Sequence, residues 1–209
     1  ILIAILVFHE YGHLRAMRSF RLQTKGMYLI PFFGGVAVGE RAKTYWAETY
    51  ISMMGPFYGL AMSAAAWLGF WLTGSELLGL IASFSALINL FNLLPIYPLD
   101  GGHVLKATAL SLNPRGSYVL LIALSAAGFA VSAYFGLYLL TLFIVLGALD
   151  LIASFKTFRE NEVAPMDTYG MVVSMGWYVA TLTAFVWIIM QMYAAGVPGA
   201  EVPYLILTE

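Results

Sequence analysis

The chain has 209 residues, 61% of them hydrophobic and only 10% charged, with a net charge of −1 and no cysteine. Soluble domains carry about 25% charged residues, so this composition places the chain in lipid. It excludes a disulfide framework and thiol chemistry, and it gives no electrostatic case for nucleic acid binding.

The first apolar run, Ile1 to Val7, leads directly into Phe8-His9-Glu10-Tyr11-Gly12-His13. Two histidines four residues apart fall on one face of a helix, one turn from each other, so both imidazoles can reach a single zinc ion. Glu10 sits beside them and is free to act as a base. Ionisable groups in a hydrocarbon-facing segment are costly, and a chain that keeps three of them there uses them. Only eight residues precede His9, roughly 12 Å of helix, and the first residue is not Met. The N-terminus is therefore expected to be cut inside a helix, with any targeting signal or preceding helix out of view.

Arg21 to Lys43 is too polar at its ends to cross a membrane, but it holds two β-prone runs between Met27 and Val38 separated by Phe-Gly-Gly. It reads as a short hairpin dipping toward the membrane, or as an amphipathic loop resting on the headgroups. Apolar stretches follow at residues 48 to 72, 77 to 94, 118 to 134, 136 to 155 and 171 to 195, each near the ~20 residues of a spanning helix. The first of these contains Pro56, which predicts a kink, and a run of small residues that lets helices approach closely. The short connection at 133 to 136 forces an antiparallel pair, with Asp150 near its end in a structural or solvent contact. Trp177, Tyr178, Trp187 and Tyr193 are placed as interfacial anchors. The fold class expected is an all-α polytopic membrane protein of about six transmembrane helices, with a short membrane-associated β-hairpin after the first.

If the His9 helix exits to the cytoplasm, alternation of the spans puts all ten Lys and Arg on that side and leaves Glu76, Glu201 and Glu209 opposite. A zinc enzyme holds its metal with three protein ligands, so the two histidines need a partner. Asp100 stands out among the acids. It follows Pro95 and Pro98 and precedes Gly101-Gly102, at the inner end of an apolar span, where a non-helical stretch over residues 95–103 can present a carboxylate.

Together, HEYGH and the later NLLPIYPLDGG resemble the site-2 protease family of intramembrane zinc metalloproteases. The resemblance covers residues 1–110, expected to form the protease core with hairpin 21–43 and helices 48–72 and 77–94. Residues 111–209 are expected to add C-terminal helices to the same membrane domain. The resemblance implies that His9, His13 and Asp100 bind one Zn2+ ion and that Glu10 activates the water. It further implies that Asn92 holds the substrate backbone or the developing oxyanion. Asn89, about one turn earlier, serves packing or the same cleft, and His103 is a candidate for a supporting role behind the ligands. The family often has an asparagine after its Gly-Pro pair, where this chain has Gly59. The implied substrates are transmembrane proteins, cleaved within or near their spanning segments in the lipid bilayer, at an active site nearer the cytoplasmic side. Two other readings stay open: a membrane metal transporter or channel, and a catalytically inactive scaffold that binds membrane helices.

Overall fold

The structure is a computed structural model, and it describes residues 1–30, 34–40, 42–153 and 163–208. Helix α1 (Leu2–Ser19) buries Ile5, His9, Gly12, His13, Ala16 and Met17, a stripe at three- and four-residue spacing. It ends where Arg21 adopts a left-handed conformation (φ 57°). The Arg21 and Leu22 amides then close back onto the Arg18 and Met17 carbonyls at 3.0 and 3.1 Å, the Schellman pattern. Strands β1 (Thr24–Ile30) and β2 (Gly34–Gly39) follow, paired antiparallel with Tyr28 opposite Val36 and packed beside α1. The Pro-Phe-Phe segment between them lies outside the described residues.

Helix α2 (Tyr45–Thr73) starts at Thr44, whose hydroxyl accepts the Ala47 amide at 3.0 Å. Its 29 residues amount to about 43 Å. Gly74 closes it in a left-handed cap (φ 69°), and α3 (Glu76–Asn92) turns straight back against it. Ala82, Ala86 and Leu90 of α3 meet Met53 and Ala66 of α2 in the main core, where the alanines let the two helix backbones come close. A non-helical stretch over residues 93–99 leads into α4 (Asp100–Leu112).

Two further helices, α5 (Pro114–Tyr134) and α6 (Tyr138–Ala153), form an antiparallel pair, joined by a Thr141–Ser132 hydroxyl bond of 2.9 Å. Helix α7 (Thr168–Ala194) begins at Asp167, whose carboxylate accepts the Gly170 amide at 2.7 Å. It then lays Phe185, Ile188, Ile189 and Met192 into the same core as α2 and α3, and the short α8 (Glu201–Thr208) packs back on it. A second cluster joins Tyr45, Tyr97, Ala107, Leu110, Tyr118, Leu121 and Leu151 around α4.

The fold class expected from sequence is corrected. Among the described residues three helices, not six, are long and apolar enough to cross a membrane: Tyr45–Thr73, Gly116–Tyr134 and Thr168–Ala194. At residues 77–94 the apolar run overstated the helix. Helix α3 stops at Asn92 after 17 residues, about 26 Å against a hydrocarbon thickness of ~30 Å, because the proline-bearing stretch after it cannot continue the helix. Over its described residues α6 is also short, at 16, while α1 carries the ionisable cluster. Nor is the segment bearing Asp100 non-helical, since Asp100 opens α4 and leaves only residues 93–99 irregular. A carboxylate in the first helical turn sits where the helix dipole favours negative charge.

Candidate metal centre

The centre is assembled from the middle of α1, the middle of α2, the end of α3 and the first turn of α4. His9 and His13, one turn apart on the buried face of α1, are 2% and 8% exposed, and Glu10 between them is 5% exposed. The two Nε2 atoms lie 3.0 Å apart. Asp100 straddles them, with Oδ2 3.1 Å from His9 Nε2 and Oδ1 3.4 Å from His13 Nε2. Glu10 stands further back, its Oε1 3.9 Å from His9 Nε2.

Each ring turns its other nitrogen outward onto an oxygen. His13 Nδ1 lies 2.8 Å from the Ile51 carbonyl, which can only accept, so this nitrogen carries the hydrogen. His9 Nδ1 lies 2.7 Å from Asn89 Oδ1. In the neutral rings, both Nε2 lone pairs then face one carboxylate with no hydrogen among them. Such a convergence of acceptors needs a positive centre among them, a bound cation or a proton on one of the rings. A tetrahedral zinc with bonds of about 2.0–2.1 Å has ligand-to-ligand edges of about 3.3 Å, matching the separations above. His9, His13 and Glu10 are also near enough to share an ion, their ligand atoms all lying within 4.8 Å of one another. Of the two carboxylates, Asp100 is the nearer and reaches both rings, while Glu10 stands further back. The structure therefore brings His9, His13, Asp100 and Glu10 into one pocket, and the donor set fits zinc.

Space for this cluster comes from α2. A Cβ on Gly55 would overlap His13 Nε2 and lie 2.8 Å from His9 Nε2, so the α2 backbone itself walls the pocket. Gly55 precedes Pro56, whose missing amide donor and fixed φ are accommodated within this helix.

Asn92 is not drawn into the cluster; its amide nitrogen donates back to the Ile88 carbonyl at 3.2 Å, on a half-buried face of α3. His103 also lies elsewhere. Its Nδ1 donates to Glu48 Oε1 at 2.9 Å, and Lys106 Nζ donates to the same oxygen at 2.6 Å while lying 4.9 Å above the Tyr97 ring. Asp150 accepts from the Tyr97 hydroxyl. Asn89, Glu48 and Lys106 are thus the polar residues that sequence reasoning undervalued. The one available signal was that Asn89 falls on an otherwise apolar helix.

The sequence model described as Peptidase family M50 matches residues 1–76 and 72–124. A putative zinc metalloprotease of Synechocystis is 29% identical over 132 residues, covering 59% of this chain and 34% of its own length. Stage IV sporulation protein FB of Bacillus subtilis is 32% identical over 107 residues, covering 50% of this chain and 37% of its own. A zinc metalloprotease of Methanocaldococcus jannaschii is 25% identical over 175 residues, covering 80% of this chain and 50% of its own. The chain thus spans about a third to a half of the length of these relatives.

Proposed function

Because the chain belongs to peptidase family M50, the site-2 protease family, we propose that it is an intramembrane zinc metalloprotease that hydrolyses peptide bonds within or near the spanning segments of membrane proteins. It is an integral membrane protein, with three helices among the described residues long and apolar enough to cross. The observation that carries the reading is the convergence of His9 Nε2, His13 Nε2 and both Asp100 oxygens within 3.0–3.4 Å of their neighbours. In this reading those three side chains hold one zinc ion. The chemistry zinc supplies when bound is Lewis acidity, which polarises a carbonyl and makes water acidic enough to lose a proton near neutral pH.

The rest falls to the chain's own groups. Glu10, buried and one residue from His9, takes a proton from water as the hydroxyl adds to the scissile carbonyl carbon. It then delivers that proton to the departing amide nitrogen as the carbon–nitrogen bond breaks, so one carboxyl serves as base and acid and ends as it began. A peptide bond in a helix has its carbonyl already hydrogen-bonded, so a substrate helix must unwind locally before attack. Asn92, at the last turn of α3 and half-buried, is the group assigned to the substrate backbone or the oxyanion. Arg15 and Arg18 follow His13 on α1, which favours a cytoplasmic position for that end and an active site nearer the cytoplasmic face. Residues 1–110 would form the protease core and residues 111–209 its added helices.

The test is Glu10→Gln in the purified chain, assayed for zinc content and for cleavage of a transmembrane peptide in lipid vesicles. Zinc is expected to stay, with cleavage reduced by about 10²–10⁴-fold, the usual loss of a general base. Unchanged cleavage would remove Glu10 from the chemistry, and a wild type that transports zinc without cleaving would support the transporter reading instead.

A further inference from the structure

We infer that Asn89 is a positioning residue of the metal centre: it fixes the tautomer and the orientation of His9, so that Nε2 presents a lone pair to the metal, and Gly59 of α2 exists in this chain to make room for it. The inference rests on the metal reading above. The side chain is fully buried on α3, in the interior that α1 and α2 share with it. An asparagine amide can face either way, and its hydrogen-bond partners decide which. Here Nδ2 lies 2.8 Å from the Ser85 carbonyl one turn back, and that carbonyl can only accept. Nδ2 must therefore be the donor there, which leaves Oδ1, an acceptor only, pointing at His9.

Oδ1 lies 2.7 Å from His9 Nδ1. The hydrogen in that contact must come from the imidazole, so a neutral His9 carries its proton on Nδ1 and keeps Nε2 unprotonated toward His13 and Asp100. The chain of dependence runs from the Ser85 carbonyl through the Asn89 amide to the metal-facing nitrogen. His13 is set in the same way, by the Ile51 backbone carbonyl. Of the two histidines only His9 has a side chain as its Nδ1 partner, so only its bond can be removed by substituting the partner.

Gly59 supplies the second, independent observation. A Cβ there would overlap Oδ1, Cγ and Nδ2 of Asn89. Any side chain at position 59 would evict the amide from its place between Ser85 and His9. Position 59 of α2 carries no side chain, and the Asn89 amide from α3 fills that space.

The experiment measures zinc affinity of the purified full chain in detergent, by competition with a chromogenic chelator, alongside its thermal unfolding. Asn89→Leu keeps the branched shape but is bulkier and has no acceptor, and is expected to lower zinc affinity by about 10–100-fold, the usual effect of losing the partner behind a metal-binding histidine. Asn89→Asp keeps an acceptor for the Nδ1 hydrogen while losing the donor to the Ser85 carbonyl, and is expected to retain more affinity than the leucine variant. Asn89→Ala removes the amide without adding bulk and serves the same comparison should the leucine variant fail to fold. Leucine or alanine variants that bind zinc as tightly as wild type would overturn the inference. So would an aspartate variant that loses affinity as the leucine one does, because the loss would then not lie in the hydrogen bond. A wild type that binds no zinc would instead overturn the metal reading on which the inference rests.

Discussion

At Gly55 the tolerance of the site is set by a single hydrogen atom. The α2 backbone passes so close to both imidazoles that a methyl group there would overlap His13 Nε2 and press on His9 Nε2. Overpacking a filled site costs about 1–3 kcal/mol, and 1.4 kcal/mol is tenfold in a binding constant. Gly55→Ala is therefore expected to weaken zinc binding by about tenfold or more, read by equilibrium dialysis, while leaving the helix content seen by circular dichroism unchanged. An alanine variant that binds zinc normally would mean the rings do not sit against α2. Residue identity also explains what could be read in advance at this scale. His9 and His13 announce themselves by a four-residue spacing that any helix converts into proximity. Asn89 does not, because its role depends on where Gly59 of another helix lies, and no local pattern encodes that.

Among the elements, α4 matters most, because it carries Asp100 to the centre. Its first turn faces the centre and its second is bound to α2. Glu48 of α2 accepts from both His103 and Lys106, and the two charged side chains of the Glu48–Lys106 pair are largely buried. The stretch before α4 is held from the other side, by the Tyr178 hydroxyl of α7 on the Leu93 carbonyl at 2.6 Å and by Asp150 of α6 on the Tyr97 hydroxyl. Helices outside the family-matched residues therefore grip the segment that delivers a proposed metal ligand. Removing one partner of a buried ion pair costs about 3–5 kcal/mol, because the other is left charged and uncompensated, whereas replacing both is often nearly neutral. Glu48→Gln should lower the thermal unfolding midpoint sharply, and adding Lys106→Met should recover most of it. Equal unfolding for the single and double variants would mean the pair does not brace α4. None of this bracing was legible in the sequence. Glu48 and Lys106 are far apart in the chain, and each alone looks like a solvated charge. The two prolines and two glycines around Asp100 did mark a break in the helix, but they could not say that a new helix begins at Asp100 itself.

For the molecule as a whole, composition was enough to place the chain in a membrane, and it was not enough to count its crossings. Hydropathy sees apolar runs, while crossing depends on where helices stop. The stop after Asn92 is set by the prolines at 95 and 98, and α1 spends its buried face on ionisable groups rather than on packing alone. Parts of the sequence far apart meet at one point: His9 and His13 from α1, the wall from α2, Asn89 from α3 and Asp100 from α4. That convergence is the central claim. It is tested most directly by the zinc content of the purified chain and of its Asp100→Ala variant after dialysis against a weak chelator. One zinc ion per chain is expected in the wild type and little in the variant, with helix content unchanged. A folded Asp100→Ala variant that keeps its zinc as firmly as the wild type would contradict the account.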